Sequence, residues 1–251
     1  GDSAGGCFSI DTEVALADGR NLSFGELIIE QKQGKKHFCY SVKEDGSIGL
    51  EKIKNVRRTK KNTEVIKLTL DNGEEIICTP DHKFMLRDGS YKQAQFLEKQ
   101  DSLMPFHKRF SKMGGRITID GYEMVWDQNK NWIFTHMLAD EYNLLNGVYE
   151  EDQGSYRHHI DFSKLNNNPD NIIRLNKEDH LRAHSENLRK TLHRPDVKEK
   201  ARIAHKNPEY RKKVSNWAKQ PEVNKMLSQR AKEQWQNPEY KAFMTQKYKE
   251  F

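Results

Sequence analysis

Arg157-His158-His159-Ile160-Asp161-Phe162, then Asn166-Asn167-Asn168-Pro169-Asp170-Asn171-Ile172-Ile173-Arg174-Leu175, then Lys177-Glu178-Asp179-His180-Leu181-Arg182-Ala183-His184: the fold of the second half of the chain turns on this stretch. It predicts a polar hairpin from His158 to Leu175 and a helix beginning near Lys177. His180 and His184 stand four apart, so on a helix they project from one face, and a strand bearing His158 can pack across that face. His158 and His159 are neighbours on a strand and point to opposite sides, so they cannot share one task. Upstream, Tyr122 to Asp127 and Trp132-Ile133-Phe134 predict a hairpin around Asp127-Gln128-Asn129-Lys130, followed by a helix from Thr135 to about Leu145.

Toward the amino terminus the pattern becomes one of short strands. Val14-Ala15-Leu16-Ala17 precedes Asp18-Gly19, Phe38-Cys39-Tyr40-Ser41-Val42 precedes Asp45-Gly46, and Val65 to Leu70 precedes Asn72-Gly73. Asp-Gly or Asn-Gly between runs of period two is the strongest short-range hairpin signal, so residues 12 to 106 read as nearly all β. The exception is Ser23 to about Gln31, where Ser23 with Glu26 three residues on predicts a helix with a capping box. Between Phe106 and Asp120 the chain turns basic and glycine-rich, with His107-Lys108-Arg109 and Met113-Gly114-Gly115, and 107–119 reads as a linker.

The tail repeats itself. Arg194-Pro195-Asp196-Val197, Asn207-Pro208-Glu209-Tyr210, Gln220-Pro221-Glu222-Val223 and Asn237-Pro238-Glu239-Tyr240 share one pattern, with prolines 13, 13 and 17 residues apart. A polar cap, proline at the first helical position and an acid in the first turn predict four short helices. Residues 185–251 hold 17 Lys and Arg against 8 Asp and Glu, a net of +9, which leaves residues 1–184 at −3 within the total of +6. A basic arm on a nearly neutral body is the footprint of a polyanion binder; a solvated helical surface is the alternative. With so few apolar residues per repeat, the arm is expected to be extended and to order fully on a partner.

Composition narrows the classes. Apolar residues are 35%, charged residues 32% and mean hydropathy is −0.98. No apolar run approaches the roughly 18 residues of a membrane span, so no membrane association is expected, and no signal-peptide pattern is present. Cys7, Cys39 and Cys78, at spacings of 32 and 39, fit neither a zinc ribbon nor a disulfide framework. A reducing, intracellular setting is expected, that of a bacterial or phage-infected cytoplasm, with Cys39 and Cys78 as small core residues.

Cys7-Phe8-Ser9-Ile10-Asp11-Thr12-Glu13-Val14 and, some 70 residues on, Ile76-Ile77-Cys78-Thr79-Pro80-Asp81-His82-Lys83-Phe84, with hairpins between them, resemble the N-terminal splicing blocks of an intein, of the Hedgehog/intein (Hint) superfamily. The resemblance covers about residues 7 to 106. It implies that the Cys7 thiol attacks the Gly6 carbonyl in an N-to-S acyl shift, with His82 as the imidazole and Thr79 as the hydroxyl that assist. Residues 1–6 are then an N-extein flank. Inteins close with a penultimate His and a terminal Asn, whereas this chain ends Gln246-Lys247-Tyr248-Lys249-Glu250-Phe251. The resemblance therefore implies a splicing half that starts the reaction and needs a C-terminal intein fragment, in trans, to complete it.

The segment from Gly121-Tyr122-Glu123 through His184, in order, resembles the HNH (ββα-metal) nuclease motif of homing endonucleases. That resemblance implies His158 and His180 as ligands of one divalent metal, His159 as general base and Asn171 as the residue that holds His159 in orientation. His184 is left as a phosphate contact, a surface residue or a further ligand, and His136 as structural. Magnesium is the metal expected for a sphere of imidazole, water and phosphate oxygen, with manganese and zinc as alternatives. A structural zinc module is the rival reading, but it would want a fourth protein ligand and no cysteine is near. Arg157, Arg174, Arg182, His184, Lys190, Arg211, Lys212 and Lys213 are the residues expected on DNA.

Together these readings give an α+β chain. It comprises an incomplete β-rich Hint-type splicing domain at 7–106, the linker, a ββα-metal nuclease domain at 120–188 and a helical DNA-binding arm at 189–251. The implied function is that of a site-specific homing endonuclease embedded in an intein, acting on a long asymmetric site in double-stranded DNA by a nick or a double-strand break. The alternative is a split or relic intein whose nuclease region only binds DNA.

Overall fold

The structure, a computed structural model, describes residues 6–115, 117–127 and 131–249; most of the expected flank and the turn at 128–130 lie outside them. Antiparallel hairpins build the first hundred residues. β1 (Glu13–Ala15) pairs with β2 (Asn21–Ser23), β3 (His37–Val42) with β4 (Ile48–Ile53), β5 (Ile66–Thr69) with β6 (Glu75–Cys78), and β7 (Lys83–Met85) with β8 (Tyr91–Gln93). The first three turn where Asp-Gly or Asn-Gly predicts, with Gly19, Gly46 and Gly73 at φ of +85°, +82° and +84°. A Cβ would strain each of them. α1 (Phe24–Lys32) is closed at its start by Ser23, whose Oγ accepts the Glu26 N–H at 3.2 Å while the Glu26 carboxylate accepts the Ser23 N–H at 2.8 Å.

Farther on, β9 (Lys108–Phe110) joins β10 (Glu123–Asp127) and β11 (Asn131–Phe134) in a three-stranded antiparallel sheet. The expected linker at 107–119 thus needs correcting: part of it is an edge strand. Lys108-Arg109-Phe110 has no alternation of its own, and its strand form comes from the β10 ladder and from Arg109 lying 4.0 Å over the Trp132 ring. α2 (Thr135–Leu145) follows directly, then β12 (Tyr156–His159), β13 (Ile172–Leu175) and α3 (Lys177–Thr191).

One core runs across 107–119. Ala17, Phe38, Ile48 and Leu50 from the early hairpins cluster with Val125, Leu138, Ala139 and Ile172 from the later elements. Polar ties reinforce it: the Tyr40 hydroxyl donates to the buried Glu123 carboxylate, and the Asn167 N–H donates to the Ala17 carbonyl at 2.8 Å. Two-stranded hairpins cannot bury a core alone, which is the physical reason β3 and β4 pack on α2. A smaller cluster, Leu16, Leu22 and Leu27, seats α1. The compact units accordingly divide inside α3, after Leu181, and not at 107–119.

In the second unit, α4 (Pro195–Lys206), α5 (Pro208–Ala218), α6 (Pro221–Gln236) and α7 (Pro238–Lys249) each open on a repeat proline. Asn207 Oδ1 accepts from the N–H groups of Glu209 and Tyr210, and Asn237 Oδ1 does the same for Glu239 and Tyr240. Arg194 and Gln220 make no such side-chain cap. No described residue from Arg182 onward is buried, so these helices have no core of their own. Among the described residues, no helix is long and apolar enough to cross a membrane.

Candidate functional site

Residues 7 to 9 lie along β6. The Ser9 N–H donates to the Ile77 carbonyl at 2.9 Å and the Thr79 N–H to the Cys7 carbonyl at 2.8 Å, which sets Cys7 against Thr79. The Cys7 N–H, the amide of the Gly6–Cys7 bond, donates to Thr79 Oγ1 at 2.9 Å. The Thr79 hydroxyl donates in turn to Asp81 and holds that carboxyl below its usual range. His82 follows in a tight turn, with its ring packed by Phe8 and Phe84 at 4.0 and 5.1 Å between centroids. Burial pushes its imidazole below the ordinary histidine range, with the Gly6 backbone and Asp81 opposing. Its Nδ1 is buried outside hydrogen-bonding geometry. The seat for Gly6 has no spare room, since a Cβ there would stand 2.3 Å from His82 Cα and 2.6 Å from Nδ1. Cys7, Thr79 and His82 are therefore brought together at one peptide bond. Cys78 is the strand residue before Thr79 and faces Phe8 across the bridge, Cys39 lies on β3, and burial raises both thiols.

The second cluster grows from the β12–β13 ladder, where His158 faces Ile173 and His159 faces Ile172. The strand sends the two rings to opposite sides. His158 meets His180 at 5.3 Å and Phe162 at 4.9 Å between centroids, whereas His159 meets Tyr122 at 6.0 Å and His136 at 5.8 Å. His158, His180 and His184, the last one turn farther along α3, each offer a ring nitrogen within 4.8 Å of the others. Ligands about 2.1 Å from one ion stand roughly 3 to 4 Å apart, and the spacing of these three nitrogens is close to that of a shared ion.

On the opposite side, His159 Nε2 lies 3.0 Å from Asn167 Oδ1. Asn167 Nδ2 donates to the Leu165 carbonyl at 3.2 Å, so Oδ1 is the acceptor, Nε2 carries the proton and the lone pair is at Nδ1. Asn171 was the residue expected to hold this ring, and the structure corrects that. Its Oδ1 accepts the Asp161 N–H at 3.1 Å, and its Nδ2 donates to Asp161 Oδ1 at 2.9 Å and to the Asn166 carbonyl at 2.7 Å, bracing the loop that presents Asn167. Three asparagines in a row gave no local sign of which one reaches the ring. His136 completes the wall: burial first, and the neighbouring His159 second, lower it to about 4, so it stays neutral.

Two of the residues expected on DNA are taken up by the fold. Arg174 is buried, with Nε and Nη2 on the Asp140 carboxylate at 2.8 Å each and Nη1 on the Glu151 carbonyl at 2.7 Å. Arg157 Nε also donates to Asp140, at 2.9 Å. A basic residue in a hairpin looks the same in the sequence whether it faces phosphate or a buried acid, and Asp140 lies a helix away. Arg182, His184 and Lys190 on α3 and Arg211, Lys212 and Lys213 on α5 are exposed.

A cysteine seated on a Thr-Pro-Asp-His turn, within a mixed helix-and-strand chain, defines a self-processing protein element. The intein splicing domain family matches residues 14–247, and the chain belongs to that family. The match runs well beyond the 7–106 read from the first motifs. The chain is also similar to the B subunit of DNA gyrase from Synechocystis sp. (strain ATCC 27184 / PCC 6803 / Kazusa), 57% identical over 253 residues that take in all of this chain and 24% of that protein. The chain spans about a quarter of the length of the curated relative it matches.

Proposed function

We propose that this intein element starts splicing at Cys7 and also carries a metal-dependent, HNH-type DNA endonuclease. For the first activity, the Cys7 sulfur bonds to the Gly6 carbonyl carbon, the Gly6–Cys7 C–N bond breaks and the thiol proton ends on the released Cys7 amine. Thr79 holds the departing nitrogen, and His82, kept neutral by burial and seated against Gly6, is the imidazole that relays the proton to it.

The observation that carries the second activity is the three-histidine cluster backed by His159 in a defined tautomer. A divalent cation held by His158, His180 and His184 would supply the charge that a scissile phosphate and its leaving oxygen require. His159 Nδ1 takes the proton of the attacking water, Asn167 keeps the ring in that state, and Tyr122 and His136 limit solvent around it. Three neutral imidazoles suit manganese or zinc better than the magnesium expected from the motif. The exposed cations of α3 and α5 contact phosphates of double-stranded DNA, with the steep salt dependence that implies. From the relative's name we infer the target class as a gene for a gyrase B subunit that lacks the insert.

The test is cleavage of genomic DNA carrying such an uninterrupted gene, with magnesium, manganese or zinc against chelator, mapping the cut ends by sequencing. A discrete metal-dependent cut at the insertion point is expected. Salt-sensitive binding without any cut would contradict the nuclease reading and favour a relic that only binds DNA.

A further inference from the structure

Between β4 and β5 the chain runs without regular structure from residue 54 to 65, and this loop bears on the splice junction. It is fixed at its start by Gln31 of α1, whose Nε2 donates to the Ile53 carbonyl at 3.0 Å and whose Oε1 accepts the Val56 N–H at 3.1 Å. Val56 packs against the cluster of Leu16, Leu22 and Leu27. Asn55 and Asn62 adopt φ of +54° and +48°, the left-handed turns that bend the loop back on itself. Farther along, Lys60 Nζ stands 3.4 Å from Asp81 of the Thr79–His82 turn. Between these anchors, Thr59 Oγ1 lies 2.9 Å from Cys7 Sγ.

Cys7 is thus bracketed by two threonines with separate duties: Thr79 accepts its N–H, and the Thr59 hydroxyl contacts its sulfur. We propose that Thr59 is a positioning residue for the acyl shift, holding the Cys7 sulfur in the rotamer from which it reaches the Gly6 carbonyl. The inference rests on the reading of Cys7 as the nucleophile. A free cysteine side chain samples three χ1 wells, and one hydroxyl contact selects among them before the sulfur–carbon bond forms. Thr59 stays outside the bond changes: the thiol proton still passes to the Cys7 amine, and no proton is gained or lost at Oγ1 overall. The exposed Lys60–Asp81 pair adds a further contact between this loop and the turn that carries Thr79 and His82.

The test uses the full 251-residue chain, with release of residues 1–6 by hydroxylamine followed by mass spectrometry. Thr59→Val, which keeps the shape and removes the hydroxyl, is expected to slow release about tenfold, the worth of one hydrogen bond. Thr59→Ser is expected to restore it to within about threefold, with the thermal unfolding of both variants unchanged. Release from Thr59→Val at the wild-type rate or faster would overturn the proposal. If wild type and Cys7→Ala behave alike, the nucleophile reading fails and this inference falls with it. An independent arm reads the contact without the chemistry: mild oxidation of Thr59→Cys is expected to give a disulfide between positions 7 and 59, and its absence would also overturn the proposal.

Discussion

Gly6→Val is expected to slow hydroxylamine-sensitive release of residues 1–6 by about 100-fold or more, the order of loss that follows a displacement of roughly 1 Å at a reacting centre. The cause is steric and local. A Cβ at position 6 would stand 2.3 Å from His82 Cα, a backbone atom that cannot swing aside, and 2.6 Å from both His82 Cβ and Nδ1. Either the scissile carbonyl or the Thr79–His82 turn must move, and both belong to the same assembly. Mass spectrometry of wild type and variant at equal times gives the ratio. Near-equal rates would mean that His82 is not seated against this peptide during the reaction.

The second large effect is on stability. Asp140→Ala is expected to lower the unfolding free energy by about 3–5 kcal/mol, because it strands the buried Arg174 guanidinium and loosens Arg157 and Tyr149 at once. Burial opposes ionisation of Asp140, yet its bonds to Arg174, Arg157 and Tyr149 outweigh that and hold the carboxyl at about 2. A carboxyl lowered in the fold contributes stability that is fully present above its unfolded value near 3.8 and is lost as pH falls through about 2. The gap between wild type and Asp140→Ala in urea titrations is therefore expected to be constant from about pH 7 to pH 5 and to narrow below about pH 4. Because one core joins the early hairpins to α2, the first unit is expected to unfold in a single transition in both proteins. Separate transitions before and after 107–119 would contradict the shared core.

The legible parts of this fold are those set by neighbouring residues. Gly19, Gly46 and Gly73 announce their turns because only a residue without Cβ takes that φ freely, Ser23 and Glu26 announce a helix start, and the four repeat prolines mark four more. The placement of Cys7, Thr79 and His82 was legible through a motif, as was the separation of His158 from His159, which needs nothing beyond strand alternation. What stayed hidden depends on distant partners. Nothing in Phe38 or Ile48 names Leu138, so a core crossing the basic segment could not be foreseen. The motif points to Asn171, whereas Asn167 faces His159, and part of what places it there is the Ala17 carbonyl, 150 residues earlier. Arg174 counts as a phosphate binder until Asp140 is seen beneath it. Thr59 lies in a loop without pattern, and its contact with Cys7 spans 52 positions.

The central claim is that one polypeptide bears two separable chemistries on a common core. The most direct measurement is metal-dependent cutting of DNA with an uninterrupted gene for the gyrase B subunit, by Cys7→Ala and His159→Ala side by side. Cys7→Ala is predicted to cut at the wild-type rate, and His159→Ala to bind the same DNA without cutting it. Equal cutting by both variants, or none by either, would contradict the account.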